Sequence, residues 1–222
     1  TDDLFSEVEA AAGKPIMEIA HQFTLQPGVP MVKVESATCA GGKTTLALSQ
    51  GEFTVDRPDK VPLHWNVPVL AAVNGHAPVR AIVDGNTSMT LEGCGPVVVN
   101  AGQTGYFRTQ YSPAAFQALR ADFAKLAPID QLGVMADAWS LGLAGQQSAS
   151  DILDLIAALP DDAEPQVWGR AAGAFGSIDE YYKDDPNVKV IIDRRKSERR
   201  ARGEEHGGEH RETRDRRRTR IP

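Results

Sequence analysis

The side chains that could do chemistry are few and scattered. His206-Gly-Gly-Glu-His210 has the spacing of the inverted zinc motif H-x-x-E-H, and His206, Glu209 and His210 together would make a small zinc hydrolase. That chemistry needs both imidazoles on one rigid helix, and two glycines within an Arg-rich run oppose a helix there. A solvated charge run is the expectation. The direct motif H-E-x-x-H, which sets two histidines one turn apart with a Glu to activate metal-bound water, does not occur, and His21 is followed by Gln22. Ala40-Gly-Gly-Lys43-Thr44 ends like a phosphate loop. Position 37 is Ala where that pattern needs Gly, and the segment lies between strands, so a hairpin with a solvent-facing Lys43 is expected. His64 and His76 are isolated and read as surface or satisfied residues. Arg108 is expected to pair with a carboxylate or stack on a Tyr rather than bind substrate. Asn86-Thr-Ser88 fits a glycosylation acceptor but has no secretory context to give it meaning.

The composition sets bounds around these residues. The chain has 222 residues, 41% hydrophobic and 24% charged, as in ordinary soluble globular proteins. No apolar run approaches the roughly 20 residues that span a bilayer. No basic-then-apolar leader is visible, and a chain that starts at Thr1 and enters a helix at once reads as a piece of a longer protein or a processed product. The net charge of −6 hides an asymmetry: Asp193 to Pro222 carries 12 Lys and Arg against 7 Asp and Glu, leaving the rest acidic. That tail is low in apolar residues and should not fold, and its acids dilute any pull on nucleic acid. Cys39 and Cys94 each lie near the end of a predicted strand. A disulfide and two small buried thiols both fit.

The elements that would position these residues turn on one stretch. Pro96 to Asn100 reads as a strand, Gly102 and Gly105 bracket a tight bend, and Tyr106 to Tyr111 alternates, with Phe107, Thr109 and Tyr111 on one face. At Ser112 the period becomes helical, with Ser112 placed to cap and Pro113 at the first position. Before this stretch the signals are β: Met31–Thr38 and Thr44–Ser49 around the turn Cys39-Ala-Gly-Gly42, Val61–Val73 broken by Pro62 and Pro68 as an edge or bulge, then Val79–Val83 and Ser88–Leu91 around Asp84-Gly85-Asn86. Two short helices precede them, Asp3–Ala12 and one starting at Pro15. After Ser112 the apolar stripes are helical: Phe116, Leu119, Phe123, Leu126; Leu132, Met135, Trp139, Leu143; Ile152, Leu155, Ile156, Leu159; and Val167, Trp168, Ala171, Phe175, Ile178. Trp168, Phe175, Tyr181 and Tyr182 are expected to stay partly exposed. Val188–Ile192 has the composition of a strand without an obvious partner.

Two segments carry a resemblance. Asn100-Ala-Gly-Gln-Thr-Gly-Tyr-Phe-Arg-Thr-Gln-Tyr-Ser112 resembles the end of the small β-sandwich in the aminopeptidase N family of zinc metallopeptidases, and Phe23-Thr-Leu-Gln-Pro-Gly-Val-Pro-Met-Val-Lys-Val34 resembles the start of that sandwich. The resemblance covers roughly residues 1 to 180 and stops after Asp184-Asp185-Pro186. It implies a multi-domain α+β chain. Residues 1–23 would end the catalytic domain, 24–111 would form an all-β sandwich of about seven strands, 112–184 would begin a HEAT-like stack of antiparallel helical pairs, and 185–222 would be a disordered Arg-rich tail, native or a foreign join. It also implies zinc in the parent enzyme and none in this chain, because H-E-x-x-H and the family's Gly-Ala-Met-Glu-Asn loop are both absent and no catalytic or metal residue carries over. The expected role is a non-catalytic C-terminal part of an enzyme that removes N-terminal residues from peptides, partnered with N-terminal and catalytic domains, with no membrane or nucleic-acid partner. The competing expectation is a stand-alone interaction module whose basic tail docks an acidic partner.

Overall fold

Alternation along the chain selects the buried face of each strand. Val32, Val34, Leu46, Leu48, Met89 and Leu91 are buried, while Lys33, Ala47 and Thr90 between them are more open to solvent. The computed structural model describes residues 2–55 and 61–186. The expected strand at Val188–Ile192, the His206–His210 motif and most of the basic tail lie outside the described residues. Contacts group the chain into a unit at 1–177 and another at 178–222, and the described part of the second is the end of the last helix and the turn after it.

The described strands are β1 (Val29–Ala40), β2 (Lys43–Phe53), β3 (Val67–Val73), β4 (Val79–Val83), β5 (Asn86–Glu92), β6 (Val97–Val99) and β7 (Arg108–Tyr111). They form a four-stranded sheet ordered β5-β2-β1-β7 and a three-stranded sheet ordered β4-β3-β6. β1 and β2 meet as expected in a hairpin: Ala40 pairs with Lys43 across Gly41 and Gly42, whose φ values of 58° and 78° suit residues without a Cβ. β7 runs parallel to β1 from Met31↔Arg108 to Val34↔Tyr111.

Three strand expectations change. The segment from Val61 forms a strand only from Val67, and β3 is the middle of its sheet rather than an edge. Pro68 is tolerated because β6 reaches only Ala71 to Val73, so no third strand needs an N–H beside Pro68. The turn at Asp84 and Gly85 does not close a hairpin: β4 and β5 lie in different sheets, so it is a crossover. The alternating segment after Gly105 becomes a strand only at Arg108. Phe107, Thr109 and Tyr111 are buried on one face as the pattern requires, and Tyr106 is exposed.

The helices are α1 (Asp2–Ala12), α2 (Met17–Thr24), α3 (Pro113–Ala121), α4 (Pro128–Leu143), α5 (Asp151–Ala157) and α6 (Pro165–Tyr182). No residue of α1 or α2 is buried. They hold each other through polar groups. The Glu9 carboxylate accepts the free N–H groups of Ile16 and Met17 at 2.9 Å each, and His21 pairs with Asp2 at 3.0 Å.

Ser112 occupies the cap position of α3 with Pro113 behind it, but its hydroxyl makes no capping bond, and its N–H donates to the Val34 carbonyl at 2.9 Å. The stripe Phe116, Leu119, Phe123, Leu126 is buried throughout, yet the helix stops at Ala121. Asp122, bonded to Asn74 and Lys125, turns the chain into a short 3-10 segment, Phe123–Lys125. On α4 the inward face is Gln131, Val134, Met135, Asp137, Ala138 and Leu141, while Leu143, expected in the core, is 61% exposed. Ile152, Leu155, Ile156 and Leu159 are buried as expected. On α6 Val167, Ala171 and Ala174 are buried, and Trp168, Phe175, Tyr181 and Tyr182 are exposed as expected. One apolar core joins side chains of both sheets to those of α3 through α6.

Candidate functional site at the sheet–helix seam

Polar groups concentrate where the 3-10 turn Ala101–Gln103, β7 and α4 meet. Asn100 adopts a left-handed conformation, φ 67°, which Asn reaches at less cost than most residues. Its amide acts as a strand partner for Gly105: Oδ1 accepts the Gly105 N–H at 2.7 Å and Nδ2 donates to the Gly105 carbonyl at 3.0 Å. The turn is fastened to the start of α4 by the Gly102 N–H, which donates to Asp130 Oδ1 at 2.7 Å. Gln103 lies flat on α4 at Gly133, where a Cβ would stand 1.8 Å from its Nε2, so only Gly admits this approach.

Deeper in the seam, Asp137 of α4 accepts the Thr109 N–H through Oδ2 at 3.0 Å and Arg108 Nη1 through Oδ1 at 3.2 Å. Burial pushes its carboxyl up to about 6, against the opposing pull of the Thr109 N–H and the Arg108 charge. The Arg108 guanidinium also lies 5.9 Å from the Phe53 ring centre. Tyr111 Oη accepts the buried Val99 N–H at 2.9 Å, and burial drives its phenol pKa upward. Gln131 Nε2 donates to the Phe123 carbonyl at 3.0 Å. These bonds satisfy strand-end and turn groups that have no ladder partner, and they fix α4 against β7. The seam thus positions elements, and among its described side chains the buried Thr109 hydroxyl has no hydrogen-bond partner.

The sequence-predicted candidates are dispersed. His21 pairs with Asp2, and His64 pairs with Asp84 at 2.8 Å on the surface. The His76 ring lies over Gly93. Lys43 is solvent-exposed beside a hairpin and pairs with Glu92 at 2.8 Å. Arg108 took the expected carboxylate partner, with Phe53 in place of a Tyr beneath it. Cys39 and Cys94 are joined in a disulfide, Cα to Cα 5.5 Å, rather than buried as thiols. Among the described residues no group of three or more His, Cys, Asp or Glu could hold a metal ion. These residues therefore do not fit the zinc that the resemblance implies for the parent.

Sequence reasoning missed Asn100, Asp130, Gln131 and Asp137. Asp137 had a signal: it breaks an apolar line, Val134 to Leu141, at helical spacing, and a charge there needs a partner.

A family model described as the ERAP1-like C-terminal domain matches residues 96–212, from β6 through the seam and helices and past Pro186, where the resemblance was expected to stop. The chain belongs to that family, and the likeness to the aminopeptidase N family carried by Phe23–Val34 and Asn100–Ser112 is borne out. It is 30% identical over 180 residues to the puromycin-sensitive aminopeptidase of Caenorhabditis elegans, covering 76% of this chain and 19% of that one. It is 30% identical over 191 residues to aminopeptidase M1-A of Oryza sativa subsp. japonica, covering 80% and 21%. The glutamyl aminopeptidase of Bitis rhinoceros is 27% identical over 205 residues, covering 83% and 20%. The chain thus spans about a fifth of the length of these relatives.

Proposed function

We propose that this chain is the non-catalytic C-terminal part of a zinc aminopeptidase, supporting and covering the domain that removes N-terminal residues from peptides. In this reading residues 1–23 end the catalytic domain, 24–111 form a spacer sandwich, 112–184 begin the helical domain and 185–222 are a basic tail. Zinc and the substrate's free amine would be held by the catalytic domain.

The observation that carries the reading is the state of α1 and α2. α2 is tied to the β half by polar bonds, and α1 is tied to α2: Trp65 Nε1 donates to the Gln22 carbonyl at 2.9 Å, and Gln22 Oε1 accepts the Asn66 N–H at 2.6 Å. Yet Leu4 and Val8 remain 63% and 40% exposed, and no residue of either helix is buried. α2 turns Phe23 toward the core while α1 leaves Leu4 and Val8 open, and an amphipathic helix held with its apolar side open is what a further domain would cover.

The test uses a Caenorhabditis elegans relative truncated before its matching segment. With zinc and an aminoacyl anilide, the pure chain alone should release nothing, and adding it should raise the activity or half-life of the truncated relative. Zinc-dependent release by the chain alone overturns the reading. No gain on mixing, with binding absent by calorimetry, counts against the supporting role.

A further inference from the structure

The far end of the β1–β2 hairpin lacks the packing found elsewhere. β7 covers β1 only from Met31 to Val34, and past an irregularity between Val34 and Ser36 every β1 residue from Glu35 to Ala40 is exposed. Opposite this tip runs the link from β5 to β6, which carries the chain from one sheet to the other. Cys94 sits in that link and Cys39 near the tip. Three other ties join the same pieces: the Gly93 N–H donates to the Gly42 carbonyl at 2.9 Å, Thr44 Oγ1 donates to the Gly93 carbonyl at 2.8 Å, and Lys43 pairs with Glu92 at 2.8 Å. The ion pair is exposed on both sides, and such pairs contribute little.

We propose that the Cys39–Cys94 disulfide is a solvent-reachable redox clamp on this inter-sheet crossover, and that it suits the chain to an oxidising compartment. The bond closes a sequence separation of 55 residues, long enough for the cross-link to remove much of the freedom of the unfolded chain. Both cysteines are exposed, so a small thiol or a thioredoxin-type dithiol reaches the sulfurs without unfolding. The sequence holds only these two cysteines, so no internal thiol can exchange with the bond. Opening takes two electrons and two protons from one dithiol, which leaves as its own disulfide, while Cys39 and Cys94 become thiols. The crossover is then held to the hairpin by the three weaker ties and to β3's end by the Asn74 N–H, which donates to the Pro96 carbonyl at 2.9 Å. Val97 to Val99 are buried immediately beyond it, so loosening passes to β6.

The experiment counts alkylated cysteines by mass in the full chain after air oxidation, denatured with and without prior phosphine reduction, and follows thermal unfolding in both states. The expected result is no label before reduction, two after, and a Tm lower by on the order of 10 °C once reduced. The Cys39→Ser/Cys94→Ser double variant should melt like the reduced chain and ignore the phosphine. Two labels without reduction overturn the clamp, and so does an unchanged Tm on reduction, which is measured on the wild type whether or not the variant folds.

Discussion

Asp137 and Thr109 are joined by a carboxylate-to-backbone hydrogen bond of 3.0 Å across 28 residues of sequence, and this bond fixes the first long helix to the last strand. The same carboxylate pairs with Arg108, so one buried acid holds two consecutive residues of β7. Removing it leaves a strand N–H and a partly covered guanidinium without their acceptor. Asp137→Ala is expected to cost about 3 kcal/mol in urea unfolding. A loss below roughly 0.5 kcal/mol, the level of an ordinary surface change, would remove Asp137 from the seam.

The same residue gives the chain a pH signature. Its folded carboxyl titrates near 6, and an unfolded Asp near 3.9. Between those values the native state holds a proton that the unfolded state has lost, so stability falls as pH rises from about 4 to about 6 and is level above. The change attributable to Asp137 is about 3 kcal/mol. Unfolding midpoints across this range should slope in the wild type and lose that part of the slope in Asp137→Asn. Parallel profiles for the two proteins refute the assignment.

Tyr111 tests the second anchor. Tyr111→Phe keeps the ring but leaves the buried Val99 N–H without its acceptor, at an expected cost of about 1–2 kcal/mol. Hydrogen exchange should quicken at the Val99 amide first, and a uniform change across the chain would place the effect elsewhere.

The face of α4 can be checked with two leucines two residues apart. Leu141 is fully buried and Leu143 is 61% exposed. Leu141→Ala should cost about 3 kcal/mol, and Leu143→Ala no more than about 0.5 kcal/mol. A larger loss at Leu143 than at Leu141 would mean that the helix presents the face expected from its sequence stripe.

On α6, Trp168 is exposed, and Trp168→Ser should leave stability within about 0.5–1 kcal/mol of wild type. Val167→Ala, next to it and fully buried, should destabilise by about 1–2 kcal/mol. Urea unfolding of the two variants checks both, and equal losses would refute the assigned face.

Features that depend on neighbours along the chain were legible in the sequence. Alternation and glycine pairs marked the strands and the Gly41-Gly42 hairpin, the change of period marked the start of α3 at Ser112, and two local motifs carried the family. Tertiary structure decided what depends on groups distant in sequence. Pro68 entered a central strand because β6 is short. α4 turned Leu141 inward and Leu143 outward because Asp137 had to reach Thr109 and Arg108. The two cysteines were joined because the β5–β6 crossover returns to the hairpin tip. Periodicity reports which residues are apolar. Which of two overlapping faces is buried, and which polar groups meet, follows from satisfying backbone and charged groups against partners that local sequence does not reveal.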